Sequence, residues 1–227
     1  MTISEKLIKI AENTKRLAEN SDGFWDTYQQ NGTRTDYQLA FAGAGWTKEI
    51  FRPKYDMKPT QMFEMFRNTS LEIDLVEHLE SLGITLDTSS TTSGSSMFYS
   101  SAFTRVGIID ISKVSIATYV FHNSQKLKTI DKFILAADGN QSVSNCFGNC
   151  YALEEIRIQG MIAGSGMDFK ACKKLSKASV ESIISCLSDT ASGQNLVLSA
   201  EAVAAAFTDA EWTALKATKP NWEIKLN

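Results

Sequence analysis

The stretch Phe147-Gly148-Asn149-Cys150-Tyr151-Ala152-Leu153-Glu154-Glu155-Ile156 decides the fold, because the same spacing occurs at Phe121-His122-Asn123-Ser124-Gln125-Lys126-Leu127-Lys128-Thr129-Ile130. In both segments a Leu stands six positions after the Phe and an Ile three positions beyond that. Looser copies open at Phe66-Arg67-Asn68-Thr69, Phe98-Tyr99-Ser100-Ser101 and Phe169-Lys170-Ala171-Cys172, and Leu175 holds the Leu position of the last. Successive phenylalanines are 32, 23, 26 and 22 residues apart, near the roughly 20–29-residue period of leucine-rich repeats. A coil of this length cannot bury its own apolar face, whereas stacked coils build a shared core and a parallel sheet. Strand-like runs at residues 84–87, 108–111, 130–135 and 155–158 supply one short strand per coil.

Outward from the repeats the pattern changes. Leu75, Val76, Leu79 and Leu82 form one face of a helix over residues 73–82, and the Ser, Thr and Gly of residues 88–96 read as a surface loop. Beyond Leu175, Ser176 caps a helix predicted to run to about residue 188, followed by a strand at 195–198. Thr208 and Glu211 form a capping box for a helix with Trp212 and Leu215 on its apolar side. Pro220 ends that helix, and residues 222–226 alternate as a final strand. At the other end, Thr2-Ile3-Ser4-Glu5 is a capping box, and Ile3, Leu7, Ile10, Thr14 and Leu17 follow as a heptad seam. Residues 21–60 are rich in large rings, among them Phe24, Trp25, Tyr37, Phe41, Trp46 and Phe51, and Gly43-Ala44-Gly45 reads as a turn. The chain thus divides into an N-terminal helix (1–20), an aromatic-rich irregular segment (21–60), a repeat region (61–198) and a C-terminal cap (199–227). The expected class is an α+β repeat, a leucine-rich-repeat solenoid with short parallel strands, an N-terminal helix and a helix-strand cap.

With 227 residues, 43% hydrophobic and 22% charged, and a net charge of -3, the chain has enough apolar content for a core and no excess of cations for nucleic acid. Met1 to Asn20 alternate charged and apolar positions, so no signal peptide is expected, and no apolar run reaches the roughly 20 residues of a membrane span. Cys146 and Cys150 are four apart without two further ligands nearby, which favours buried thiols over zinc. His78 and His122 read as surface histidines without a matching nucleophile, and Glu154-Glu155 as solvated charges. No catalytic, cofactor or metal residues are assigned, and no enzyme is expected. If the strands stack in register, Asp87, Asp110, Asp131, Lys132, Glu155, Arg157 and Gln159 form a mixed-charge, mildly acidic strip. Such a strip is either a binding face or an ordinary solvated sheet surface.

The two best-matched segments resemble the Phe-x-x-Cys-x-x-Leu-x-x-Ile core of BspA-like leucine-rich repeats, and Cys150 and Cys172 stand where that family carries core cysteine. The opening Ile3-Ser4-Glu5-Lys6-Leu7-Ile8-Lys9-Ile10-Ala11-Glu12-Asn13 is similar to the start of proteins encoded by phages and prophages of gut Firmicutes, many of them near tail-fibre genes. Together these resemblances imply a non-enzymatic binding or adhesion scaffold, structural or tail-associated, that takes a protein or glycan ligand on the repeat face. The alternative they leave is a phage-encoded effector that binds and inhibits a host protein. The location implied is the virion or the bacterial host cytoplasm.

The N-terminal seam is too short for a stable isolated helix, so it pairs with copies of itself or docks on its own domain. Self-association, as a trimer by analogy with tail fibres, is the outcome expected from light scattering. A full chain that is oligomeric while one lacking Met1 to Asn20 is monomeric supports it, and two monomers make the seam an internal packing face.

Overall fold

Four of the repeat phenylalanines, Phe66, Phe98, Phe121 and Phe147, lie at the centres of tight backbone turns in the computed structural model, which describes residues 9, 12, 13, 16, 23–43 and 45–227; the fifth, Phe169, lies in a short strand. Lys9, Glu12, Asn13 and Arg16 are helical and exposed; the capping box at Thr2 and the seam residues Ile3, Leu7, Ile10 and Leu17 lie outside the described residues. The turn geometry follows from a pair of left-handed residues. Leu39 and Gly43, Glu64 and Asn68, Ser96 and Ser100, Tyr119 and Asn123, and Asn145 and Asn149 all have positive φ, two positions before and two after Phe41, Phe66, Phe98, Phe121 and Phe147. Asn and Gly adopt this conformation at least cost, which explains their recurrence after the ring.

Left-handed residues turn alternate amides toward the next turn along the chain. Phe41, Phe66 and Phe98 N–H donate to Met65, Met97 and Val120 O at 2.8 Å, and Phe121 N–H to Cys146 O at 2.9 Å. Asn68, Ser100 and Asn123 continue the same rungs to Tyr99, His122 and Gly148. Within a turn, Ser101, Ser124 and Cys150 N–H close back on the carbonyls of Phe98, Phe121 and Phe147. This stacking brings Phe41, Phe66, Phe98, Phe121, Phe147 and Phe169 into one fully buried column. Neighbouring rings are stacked with centroids 4.6–5.7 Å apart. Phe51, Phe103 and Phe133 each pack edge-on against two successive column rings. The column begins one turn earlier than the repeat read from sequence, at Phe41, whose ring also meets Trp25, Trp46 and Phe51 from the aromatic segment.

The strands do not form the continuous sheet of a leucine-rich-repeat solenoid, and that expectation is corrected to a mixed α/β arrangement. From Gly23 on, the described residues form five α-helices, a 3₁₀ turn and eight strands in three small parallel sheets. β1 (Arg105–Asp110), β3 (Thr129–Ile134) and β5 (Glu155–Gln159) make the first sheet, β2 (Ile116–Thr118) and β4 (Ser142–Ser144) the second, and β6 (Asp168–Phe169), β7 (Gln194–Leu198) and β8 (Trp222–Leu226) the third. The run at 84–87 is not a strand and contributes only a single bridge between Met57 and Leu86.

Local chemistry shows why the first sheet stops at three strands. Helices stand where further strands would pair: α2 (Leu75–Ser81), which follows α1 (Phe24–Tyr28), beside β1, and α3 (Lys177–Ser185) beside β5. Ile156 and Ile158 of β5 donate their N–H groups to the Ser179 and Ser182 hydroxyls of α3, both at 2.9 Å. A helix can therefore satisfy the strand edge with side chains instead of backbone. The Ser176 cap accepts from Ser179 N–H, and α3 ends at Ser185, three residues short of the expected end. α4 (Ala200–Ala206) and α5 (Asp209–Ala217) follow, the latter with the full Thr208–Glu211 capping box. Within residues 88–96, Thr88 and Thr91 are buried, so that stretch is only in part the surface loop expected.

Phe147 touches rings on three sides, so Phe147→Ala should lower unfolding stability by about 3–5 kcal/mol, as for other large-to-small changes in a packed core. Urea denaturation of the variant checks this, and a loss under about 1 kcal/mol would contradict the column.

Candidate binding face

In β1 and β3 the buried residues are not evenly alternated. Val106 and Ile109 point inward in β1, as do Ile130 and Phe133 in β3, leaving two residues between them in each strand; β5 has only Arg157 between Ile156 and Ile158. The register between β3 and β5 accordingly shifts between Ile130 and Phe133, a bulge that pushes an additional side chain to the surface. Ile108 and Lys132 are paired across β1 and β3, and Ile108 is 54% exposed.

Of the residues expected on this face, Asp131, Lys132, Glu155, Arg157 and Gln159 come together on β3 and β5, and Asp110 closes β1 of the same sheet. Asp87 does not join them, because its segment is no strand; the Ser89 hydroxyl first, and then the Ser89 N–H that its carboxylate accepts from, hold it below the usual carboxylate range. Asp110 likewise accepts from Ser112 N–H at 2.9 Å and shapes the turn after β1. Asp131 is clasped by Arg105, whose Nε and Nη2 donate to its two oxygens at 2.8 Å each, the planar match that makes Arg–carboxylate pairs specific. Asp74 lies 3.6 Å from the same guanidinium. Glu155 accepts from the hydroxyls of Ser176 and Ser179. The acids are thus partnered, while Lys132 and Arg157 form no ion pair with a described residue. Sequence reading missed Arg105 and Ile108 because a strand of strict alternation cannot place both outward; the signal was the two-residue gap between the apolar Val106 and Ile109.

A groove flanks each side of the sheet. Between β5 and α3 an open groove of about 560 Å³ is lined by Lys132, Arg157, Gln159, Glu181, Ser182 and Ser185. Between α2 and β1 a cleft of about 280 Å³ is more apolar, with Val76, Leu79, Leu86 and Ile108 on its walls and Asp131 at its margin. Among the described residues the face therefore combines an exposed aliphatic side chain, two cations without an ion pair, and hydroxyls.

The remaining sequence candidates take structural places. His78 is buried, not on the surface, with Nε2 2.6 Å from Phe51 O and its ring 5.8 Å from that of Phe51; α2 turns it inward beside Leu75 and Leu79. Cys146, Cys150 and Cys172 are buried free thiols. Cys150 occupies the turn position that Ser124 holds one turn earlier: Ser124 Oγ donates to Phe98 O at 2.6 Å, and Cys150 Sγ to Phe121 O at 3.1 Å. Its role is to tie one turn to the one before it. Among the described residues no three His, Cys, Asp or Glu side chains gather as a metal site, and no helix is long and apolar enough to cross a membrane. Compared with family models, curated proteins and solved structures, the chain has no match.

Burial pushes the Cys146 and Cys150 thiols up to about 12, against about 8.5 in an unfolded chain. The unfolded state therefore ionises first, and the contribution of these thiols to stability is complete below pH of about 8.5 and is lost as pH rises toward 12. Denaturation between pH 8 and 11 should show a steeper fall for the native chain than for a Cys146→Ala, Cys150→Ala variant, and equal slopes would contradict it.

Proposed function

We propose that this chain is a non-enzymatic recognition scaffold that binds a partner protein through the outer face of the β1-β3-β5 sheet, as a structural or tail-associated component of a phage or prophage. The observation that carries the reading is Ile108, exposed over half its surface beside Lys132 on the neighbouring strand, with Arg157 one strand further on β5, both cations without an ion pair among the described residues. An aliphatic anchor ringed by charges is how protein interfaces combine burial with a polar rim. The phage setting is supported by the similarity of the opening segment, residues 3–13.

A photo-crosslinking residue at position 108 tests the reading in purified particles. Mass spectrometry should find the chain in the particle and a particle protein joined at that position, with the product reduced at least fivefold by Arg157→Glu. A chain absent from particles but joined to a host protein favours the inhibitory effector. No joined partner in either setting overturns the binding face.

A further inference from the structure

In the turns around Phe66, Phe98 and Phe121 the residue following the ring leaves on the outer side, and Arg67, Tyr99 and His122 build a second stack on the surface. Arg67 Cζ lies 5.2 Å from the centre of the Tyr99 ring. Tyr99 and His122 are parallel within 9°, with centroids 5.5 Å apart. The next residue in the series is Gly148, where a Cβ would stand 2.5 Å from His122 Nδ1 and 2.6 Å from Cε1. Glycine is thus what lets the imidazole lie against the neighbouring turn. Tyr119 meets both rings edge-to-face, 5.3 Å from His122 and 6.4 Å from Tyr99, and is 41% exposed. Tyr151, 48% exposed, donates its hydroxyl to Asn149 Oδ1 at 3.1 Å.

Around the rings the surface is polar and uncharged. Asn123 Nδ2 donates to Ser100 Oγ at 2.9 Å, and His122 Nδ1 donates to Asn145 O at 3.2 Å, leaving Nε2 as the ring's acceptor. The three turns around Phe98, Phe121 and Phe147 hold no Lys, Arg, Asp or Glu between residues 95–101, 119–124 and 145–151. The charges at the two ends are already paired, Arg67 with Glu64 and Lys170 with Asp168.

We propose that this strip is a carbohydrate-binding surface for neutral oligosaccharides, separate from the sheet face. A nucleic acid needs cations along its backbone, and a charged peptide needs counter-charges; between the paired Arg67 and Lys170 the strip offers neither. A wholly apolar partner would strand the amides and hydroxyls without water. A neutral sugar meets both requirements at once, laying C–H groups against exposed tyrosine rings and exchanging hydrogen bonds with Asn and Ser side chains. The left-handed residues Ser100, Tyr119, Asn123 and Asn145 are set in the backbone rungs of adjacent turns, so the surface is ordered before a ligand arrives.

The full chain should bind arrayed neutral hexose oligosaccharides of two to six units in preference to sialylated and sulfated ones. Titration with the best neutral binder should move the His122 ring resonances. Tyr119→Ala and Tyr151→Ala, both at exposed positions, should each weaken binding at least tenfold with an unchanged unfolding midpoint, whereas Arg157→Glu on the sheet face should leave it intact. Failure of every neutral oligosaccharide to bind, binding of charged glycans alone, or binding that survives both tyrosine substitutions would overturn the proposal. Loss with Arg157→Glu would also overturn it and would transfer the ligand to the sheet face.

Discussion

The stacking of six phenylalanine rings in a single column is the interaction on which the other features depend. Each of the five turns from Phe41 to Phe147 holds two left-handed residues, nine of the ten carrying a side chain, and such residues cost on the order of 1 kcal/mol or more each. Burying one phenylalanine contributes roughly 1.5–3 kcal/mol, and an aromatic pair about 0.5–1.5 kcal/mol beyond that. The two effects are of similar size, so a turn deprived of its ring would not keep its geometry. The rungs from Phe41 to Met65 and from Phe66 to Met97 exist only while that geometry holds.

Because the column sets the turns, it also sets what reaches the surface. Residues one place after the ring emerge together, which aligns Tyr99 with His122. Residues three places after it face back into the core, where Ser124, Cys150 and Cys172 bond to the preceding turn. Segments farther along each turn become the strands, and here the varying chain length between rings matters more. Where the intervals are 26 and 22 residues, β3 and β5 pair; the 32-residue interval between Phe66 and Phe98 accommodates α2 in place of a strand.

Legibility in the sequence tracked how local each signal was. The helix starts at Ser176 and Thr208 were readable because a cap is a contact within one turn. Final strand β8 was readable from its alternation. The ring positions were readable from spacing, yet Phe41 was not, since Thr47 stands six positions after it where the best-matched copies have Leu. A continuous sheet was expected because strand-like runs recur, but pairing requires that the runs meet in register, and only β1, β3 and β5 do so in the central region beyond the short β2-β4 pair. His78 was placed outside because its neighbours are acidic; the helical phase that carries Leu75 and Leu79 inward carries it as well. On the binding face, Lys132, Glu155, Arg157 and Gln159 followed from alternation, while the clasp of Arg105 on Asp131 depended on contacts 26 residues apart.

Native-state hydrogen exchange at the rung amides tests the column most directly. Phe66, Phe98 and Phe121 N–H donate from one buried turn to the next, so all three should exchange only through global unfolding, with the same free energy and the same dependence on denaturant. Rapid exchange at these amides, or three unrelated opening free energies under conditions where the chain is folded, would show that the rings do not hold the turns together as one unit.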